Sequence, residues 1–360
     1  MSAAVPIGLP DTERWLADRI AEGQLFTGAQ LAVVHQGRQV VDVAIGTDGL
    51  ARPVLPSTAF RIYCAAKPLL ATAVCAAIDA GRVRRGAALA GFPLDVSARV
   101  GEVTVDQLLH HQTPFTRPTG FGSAFIPSGS RARAVRGACE EALRAGWAVG
   151  YGEVANWLLL GEVLSWCTGR SWQALVADQA RAADAPIEEL CTTPDELVAA
   201  HRDGRIGVNV SRRDGRLLPL LGEVEPSLSE RLDGPGFGAA ASSRFLARFL
   251  HHGVVRRGHA AVRSAQRVAA DATFGRDLWF ADGCMVGPAS LGLDDLWPED
   301  VAGHVGIGGM TLGFASPSLD LSVAIHLNGL MAPTDGADHV RPALTGLLHA
   351  ELLPQLSPPV

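Results

Sequence analysis

Strand-like apolar stretches lie near both ends of this 360-residue chain, and helical pattern fills most of the interval between them. Gln30–His35 and Gln39–Ile45 flank the tight loop Gln36-Gly37-Arg38, a hairpin pattern of two β-branched runs around a glycine turn. Towards the other end, Asp277–Val286, Ala302–Ile307, Met310–Ala315 and Leu321–Leu327 run apolar between glycine, proline and aspartate breaks. Strands this far apart in sequence bury their apolar faces by joining one antiparallel sheet covered with helices. The expected fold class is therefore α+β, with a sheet built from both termini and an inserted helical subdomain. Residues 1–80 and 236–360 are expected to form the sheet subdomain and 81–235 the helical one, with a ligand cleft at the seam. Helices are expected over Thr12–Glu22, Cys64–Ala80, Val103–His110, Val154–Cys167 and Asp338–Leu352, and a glycine turn plus helix over Gly236–Gly253. The charged, glycine-rich stretch 202–235 reads as connecting loops or an irregular flap.

Composition removes several function classes. The chain is 48% hydrophobic with no low-complexity tract, as a globular enzyme-sized protein is. Its net charge is −6, and the short cluster Arg131, Arg133, Arg136 reads as a solvated face, so nucleic acid is not an expected partner. The cysteines are Cys64, Cys75, Cys139, Cys167, Cys191 and Cys284, and none forms a C-x-x-C pair that would point to zinc or dithiol chemistry. His110-His111 and His251-His252 are adjacent pairs whose rings face apart on a helix, so they read as structural, and no metal or cofactor is expected. Met1 to Trp15 lacks a basic start followed by an apolar stretch, and no apolar run reaches membrane-spanning length. The expectation is a reduced, cytoplasmic protein without a membrane partner.

Against this background Lys67 is singular. It is the one lysine among 31 basic Lys and Arg side chains. A bias towards arginine in base composition accounts for the thirty arginines but not for the exception. Arginine keeps its proton in proteins, whereas a buried or crowded lysine gives it up. Cys64 lies three residues upstream, one helical turn away, at the expected start of the helix. Pro68 falls in its first turn, where proline is tolerated. A thiol at a helix N-terminus, beside an amine, is favoured as thiolate.

The segment Phe60-Arg61-Ile62-Tyr63-Cys64-Ala65-Ala66-Lys67 resembles the S-x-x-K segment of serine β-lactamases and penicillin-binding proteins, with cysteine in place of serine. Later segments resemble the class C β-lactamase, esterase and D-peptidase branch of that family, in its order. Val103–Thr113 is similar to the "LLxHxS" helix, and Leu159-Leu160-Gly161 through Thr168-Gly169 to the helix after the tyrosine motif. Gly236–Phe249 resembles the glycine turn and helix before the last strands, and Gly303-His304-Val305-Gly306-Ile307-Gly308-Gly309 the H-x-G form of the K-T-G strand. The resemblance spans roughly residues 25 to 350 and implies the sheet-plus-insert fold already read from the pattern.

The resemblance also implies roles. Cys64 would be the nucleophile and Lys67 its base or counter-charge. Tyr151, one of only two tyrosines, falls where the family's Y-x-N tyrosine belongs and would carry protons. Tyr63, the other, should point away. Tyr151-Gly152-Glu153 departs from Y-x-N in placing an acid at the third position, and the spacing to Gly161 is a residue or two long. Glu153, if turned inward, would hold Lys67 protonated. The backbone N–H groups of Cys64 and Ile307 would form the oxyanion hole. His304 would give the substrate a hydrogen bond or a titratable charge, and the glycines at 306, 308 and 309 would let it lie against the strand.

A cysteine acyl-enzyme is a thioester, which amines attack much more readily relative to water than they attack an oxygen ester. With the missing export signal, this favours an ATP-independent transacylase of secondary metabolism, moving an acyl group from an ester or thioester donor to an amine. A hydrolase of esters, small amides or β-lactams, with water as acceptor and Cys64 natural or a replacement for serine, is the second reading. A catalytically silent binding protein is the third.

Overall fold

The computed structural model describes residues 7–116, 128–224, 234–256, 264–331 and 339–356. Its centre is an eight-stranded antiparallel sheet drawn from both ends of the chain, as expected. The strands are β1 (Gly28–His35), β2 (Arg38–Gly46), β3 (Gln266–Val268), β4 (Leu278–Ala281), β5 (Cys284–Val286), β6 (Ala302–Val305), β7 (Thr311–Ser316) and β8 (Leu321–Leu327), in the order β2-β1-β8-β7-β6-β5-β4-β3. The termini meet at β1 and β8, paired from Ala29 opposite Leu327 to His35 opposite Leu321.

Both of these strands are buried along their whole length, because helices cover both faces of the sheet. Ala32, Val34 and Ala324 belong to the same core as Phe245, Leu246 and Phe249 of the helix Ser243–Leu250. The alternate residues Leu31, Val33, Val323 and Ile325 pack with Leu16 of the helix Pro10–Glu22 and with Leu344 and Leu348 of Val340–Leu352. The period-2 alternation of a strand thus feeds two cores. The helix Lys67–Asp79 carries the first core onwards, packing against Ala155–Thr168 and Trp172–Ala182.

Several expected boundaries move, each for a local reason. Asp277–Val286 is not one strand: Asp282 (φ 47°) and Gly283 (φ 78°) fold it into a hairpin with Ala281 opposite Cys284. The stretch expected as loops or flap holds a second such hairpin, Val210–Arg213 with Arg216–Pro219, around Asp214 (φ 50°) and Gly215 (φ 74°). A one-turn helix, Leu221–Val224, follows, and 225–233 lie outside the described residues. In both hairpins a two-residue turn needs left-handed backbone twice, which Asp-Gly supplies cheaply. The expected helix Cys64–Ala80 is a 3₁₀ turn, Tyr63–Ala66, leading into an α-helix, Lys67–Asp79. Pro68 has no N–H to give the Cys64 carbonyl, and the Lys67 N–H bonds that carbonyl instead, which is the 3₁₀ pattern.

Candidate active site

A cavity of about 980 Å³ opens beside β6, and Cys64, Tyr151, Glu153, His304, Gly306 and Ile307 all line it. The sequence places these residues on three separate segments, and the fold brings them together. Cys64 is 6% exposed, reachable from the cavity but otherwise enclosed. It stands in the 3₁₀ turn, one turn ahead of the α-helix proper, and its predecessor Tyr63 has φ 47°. A bulky residue in that region is held there by its surroundings. Tyr63 does point away from the cavity, and its hydroxyl donates to the buried carboxylate of Glu223.

Lys67 is completely buried. Its Nζ donates to the Gly236 carbonyl at 3.2 Å and lies 5.1 Å from the ring centre of Tyr151 and 5.7 Å from that of Trp157. Two aromatic faces and one carbonyl can hold an ammonium group, yet none of them is a full negative charge. Among the described residues no carboxylate pairs with Lys67. Gly236 has to be glycine: its φ is +80°, and a Cβ there would lie 2.7 Å from Cγ of Trp157.

The Tyr151 phenol lines the same cavity wall as Cys64, near enough to feel its charge. Burial, and then the charge of Cys64, hold the phenol well above its ordinary pKa, so it keeps its proton. Glu153 and Asp271 push in the same direction. The backbone of Tyr151 is clamped: its N–H donates to Asp271 Oδ2 at 2.6 Å, and its carbonyl accepts from Thr273 Oγ1 at 2.8 Å. The next N–H, of Gly152, donates to His111 Nδ1 at 3.0 Å, and Asn156 Nδ2 approaches the same nitrogen at 3.3 Å. Nδ1 of His111 is therefore the acceptor. Burial, with Lys67 next in weight, pushes His111 well below its usual range.

His304 donates from Nδ1 to the Val305 carbonyl, 2.9 Å away, and burial with the nearby Lys67 takes its pKa down to about 3. At neutral pH it is an uncharged ring 5.6 Å, centre to centre, from Tyr151. The expected titratable charge is thus unavailable, and the polar role left to His304 is hydrogen bonding. Glu153 lines the cavity, and its charge acts on Tyr151. Across the site, Ile307 begins a 3₁₀ turn fixed by the Gly306 N–H on the Thr311 carbonyl (2.7 Å) and the Met310 N–H on the Ile307 carbonyl (3.2 Å).

Sequence reading passes over Asp271, Asn156, Trp157 and the guanidinium groups of Arg212, Arg276 and Arg341 in the cavity wall. It took the His110-His111 pair as structural, and His111 does act on backbone and neighbours. No group of metal-binding side chains occurs among the described residues, and no described helix is long and apolar enough to cross a membrane.

An antiparallel sheet covered on both faces, with Cys64 in the turn that leads into a helix, Lys67 one turn on and Tyr151 lining the same cavity as Cys64, is the arrangement of a β-lactamase-type fold. The family model described as Beta-lactamase matches residues 14–346, and the chain belongs to that family. No curated protein sequence matches it. A penicillin-binding protein homologue from Caulobacter crescentus is similar in structure, at 20% identity and TM-score 0.71, over 98% of this chain and 99% of that one. So is a family VIII carboxylesterase, at 20% identity and TM-score 0.72, over 98% and 99%. EstCE1, titled a hydrolase with promiscuous acyltransferase activity, is 12% identical with TM-score 0.68, over 95% and 98%.

Proposed function

We propose that this chain is an acyltransferase working through a thioester on Cys64, with cysteine where the family's nucleophilic serine stands and with kinship to the class C, esterase and D-peptidase branch. The observation that carries the reading is a cavity-lining thiol that shares its wall with the phenol of Tyr151, one helical turn before the chain's one lysine, whose buried Nζ lies 5.1 Å from the centre of that same Tyr151 ring. Lys67 takes the proton that Cys64 gives up, and the thiolate attacks the carbonyl carbon of an ester or thioester donor. The backbone N–H groups of Cys64 and Ile307 receive the developing oxyanion. The C–S bond forms, the leaving group departs, and the proton held by Lys67 passes to it through Tyr151. An amine then attacks the thioester. The C–N bond forms, the C–S bond breaks, and the amine's proton restores the thiol. No ATP is required, because the donor is already activated.

Among the described residues, three arginines and one acidic residue, Glu153, line the cavity of a chain whose net charge is −6. That inverted local balance supports a donor or acceptor carrying an acidic group. Hydrolysis of esters or amides is the second reading, supported by the structural likeness to a carboxylesterase.

Intact-mass analysis of the protein incubated with activated esters, with and without amines, decides between them. An adduct on Cys64 discharged mainly by amines supports transfer. Discharge by water at an undiminished rate supports the hydrolase, and the absence of any adduct removes both in favour of a silent binding protein.

A further inference from the structure

A chain of buried hydrogen bonds connects the two sides of the oxyanion hole from behind. It starts at Glu223 on the one-turn helix Leu221–Val224, a carboxylate with only 1% exposure. Glu223 accepts from the hydroxyl of Tyr63, from the Asn209 N–H (2.8 Å) and from Asn209 Nδ2 (2.9 Å). That spends the amide's donor side, so Asn209 Oδ1 faces His326 Nε2 at 2.9 Å as an acceptor. With Nε2 donating, His326 Nδ1 is left to accept from Thr311 Oγ1 at 2.9 Å. Every proton along the line is thus oriented by the carboxylate at its end. His326 is further pinned by Phe60, stacked on it at 4.3 Å between ring centres.

The two ends are the significant points. Tyr63 is the residue before Cys64 and carries the left-handed φ. Thr311 accepts the Gly306 N–H on its carbonyl, and Gly306 is the residue before Ile307. The two backbones also touch directly: a Cβ on Gly306 would lie 2.9 Å from the Ile62 carbonyl oxygen. None of Glu223, Asn209, His326 and Thr311 lines the cavity. We infer that these four are positioning residues, a strut that sets the separation between the N–H of Cys64 and the N–H of Ile307. The inference rests on the proposed acyl chemistry for its purpose, but the strut itself is a mechanical statement that is testable without substrate.

The test uses the full-length protein and two substitutions that each delete one hydroxyl, Tyr63→Phe on the nucleophile side and Thr311→Val on the other. Hydrogen–deuterium exchange is read in peptides covering 60–67 and 304–311. Each substitution is expected to speed exchange in both segments, by about fivefold for one lost hydrogen bond. A change confined to the substituted side, in either variant, overturns the strut. With an activated ester, both variants are expected to lower the maximal rate of Cys64 acylation by about tenfold, the loss of part of an oxyanion-stabilising contact, with the half-saturating concentration within about twofold of the parent. A parallel rise in that concentration, or an unchanged rate, also overturns it. A parent protein that forms no adduct yet shows the two-sided exchange response would sink the acyl-transfer reading and leave the strut standing.

Discussion

Lys67 stands out in the sequence by being alone, and in the fold by being enclosed. Its burial against two rings and a carbonyl explains why arginine would not serve there. Guanidinium is larger and does not give up its proton. Lys67→Arg is therefore expected to slow acylation of Cys64 by about 10²–10⁴, the usual worth of a positioned proton-transfer group, measured as the pre-steady-state rate of adduct formation. Cys64→Ser is expected to retain adduct formation but shift its discharge from amines towards water, read as the product ratio at fixed amine concentration. Cys64 and Lys67 were legible because their residue types are rare and their spacing is local. Asp271 was not. It acts by accepting the N–H of a residue 120 positions earlier, and an aspartate in a loop looks the same in sequence whether or not it does so.

At the scale of elements, the expected hairpin at Gln36-Gly37 is present, while two Asp-Gly hairpins went unread. The Asp282-Gly283 turn lies inside a nearly continuous apolar run and so looked like one strand. The Asp214-Gly215 turn lies among arginines, where no alternation is visible. Leu321–Leu327 was legible to the residue, because Asp320 and Asn328 close a mostly apolar run. The Tyr151 segment is held by groups from a distant loop, and the carboxylate of Asp271 satisfies three backbone donors, on Tyr151, Thr273 and Phe274. Asp271→Ala should cost about 1–3 kcal/mol by denaturant unfolding, since buried donors lose their acceptor. Gly236→Ala should destabilise by about 1–3 kcal/mol through overpacking against Trp157, and should also slow acylation, because the displaced carbonyl is the one holding Lys67.

For the molecule as a whole, pH acts through histidines buried without charge. His304 and His326 both have pKa values taken down to about 3, chiefly by burial. In the unfolded chain a histidine titrates near 6.5. Between those values the unfolded state binds protons that the native state refuses, so stability rises with pH across this window. The contribution is fully present above about 6.5 and is lost progressively as the solution is acidified towards 3, by up to about 1.4 kcal/mol per pH unit for each such group. Thermal unfolding followed from pH 7 to pH 4 should show a falling midpoint, and His326→Gln should flatten the slope. A midpoint indifferent to pH over that range would contradict the neutral, enclosed state of both rings.

One consequence follows from an arginine-only exterior. A thioester held on Cys64 would be prone to capture by any primary amine that reaches it, including those of the protein carrying it. Here the single side chain of that kind is buried, and the other thirty of the 31 Lys and Arg side chains carry guanidinium groups, poor nucleophiles at neutral pH. The protein thus offers the activated intermediate of a neighbouring molecule no exposed lysine on which to go astray, even at high concentration.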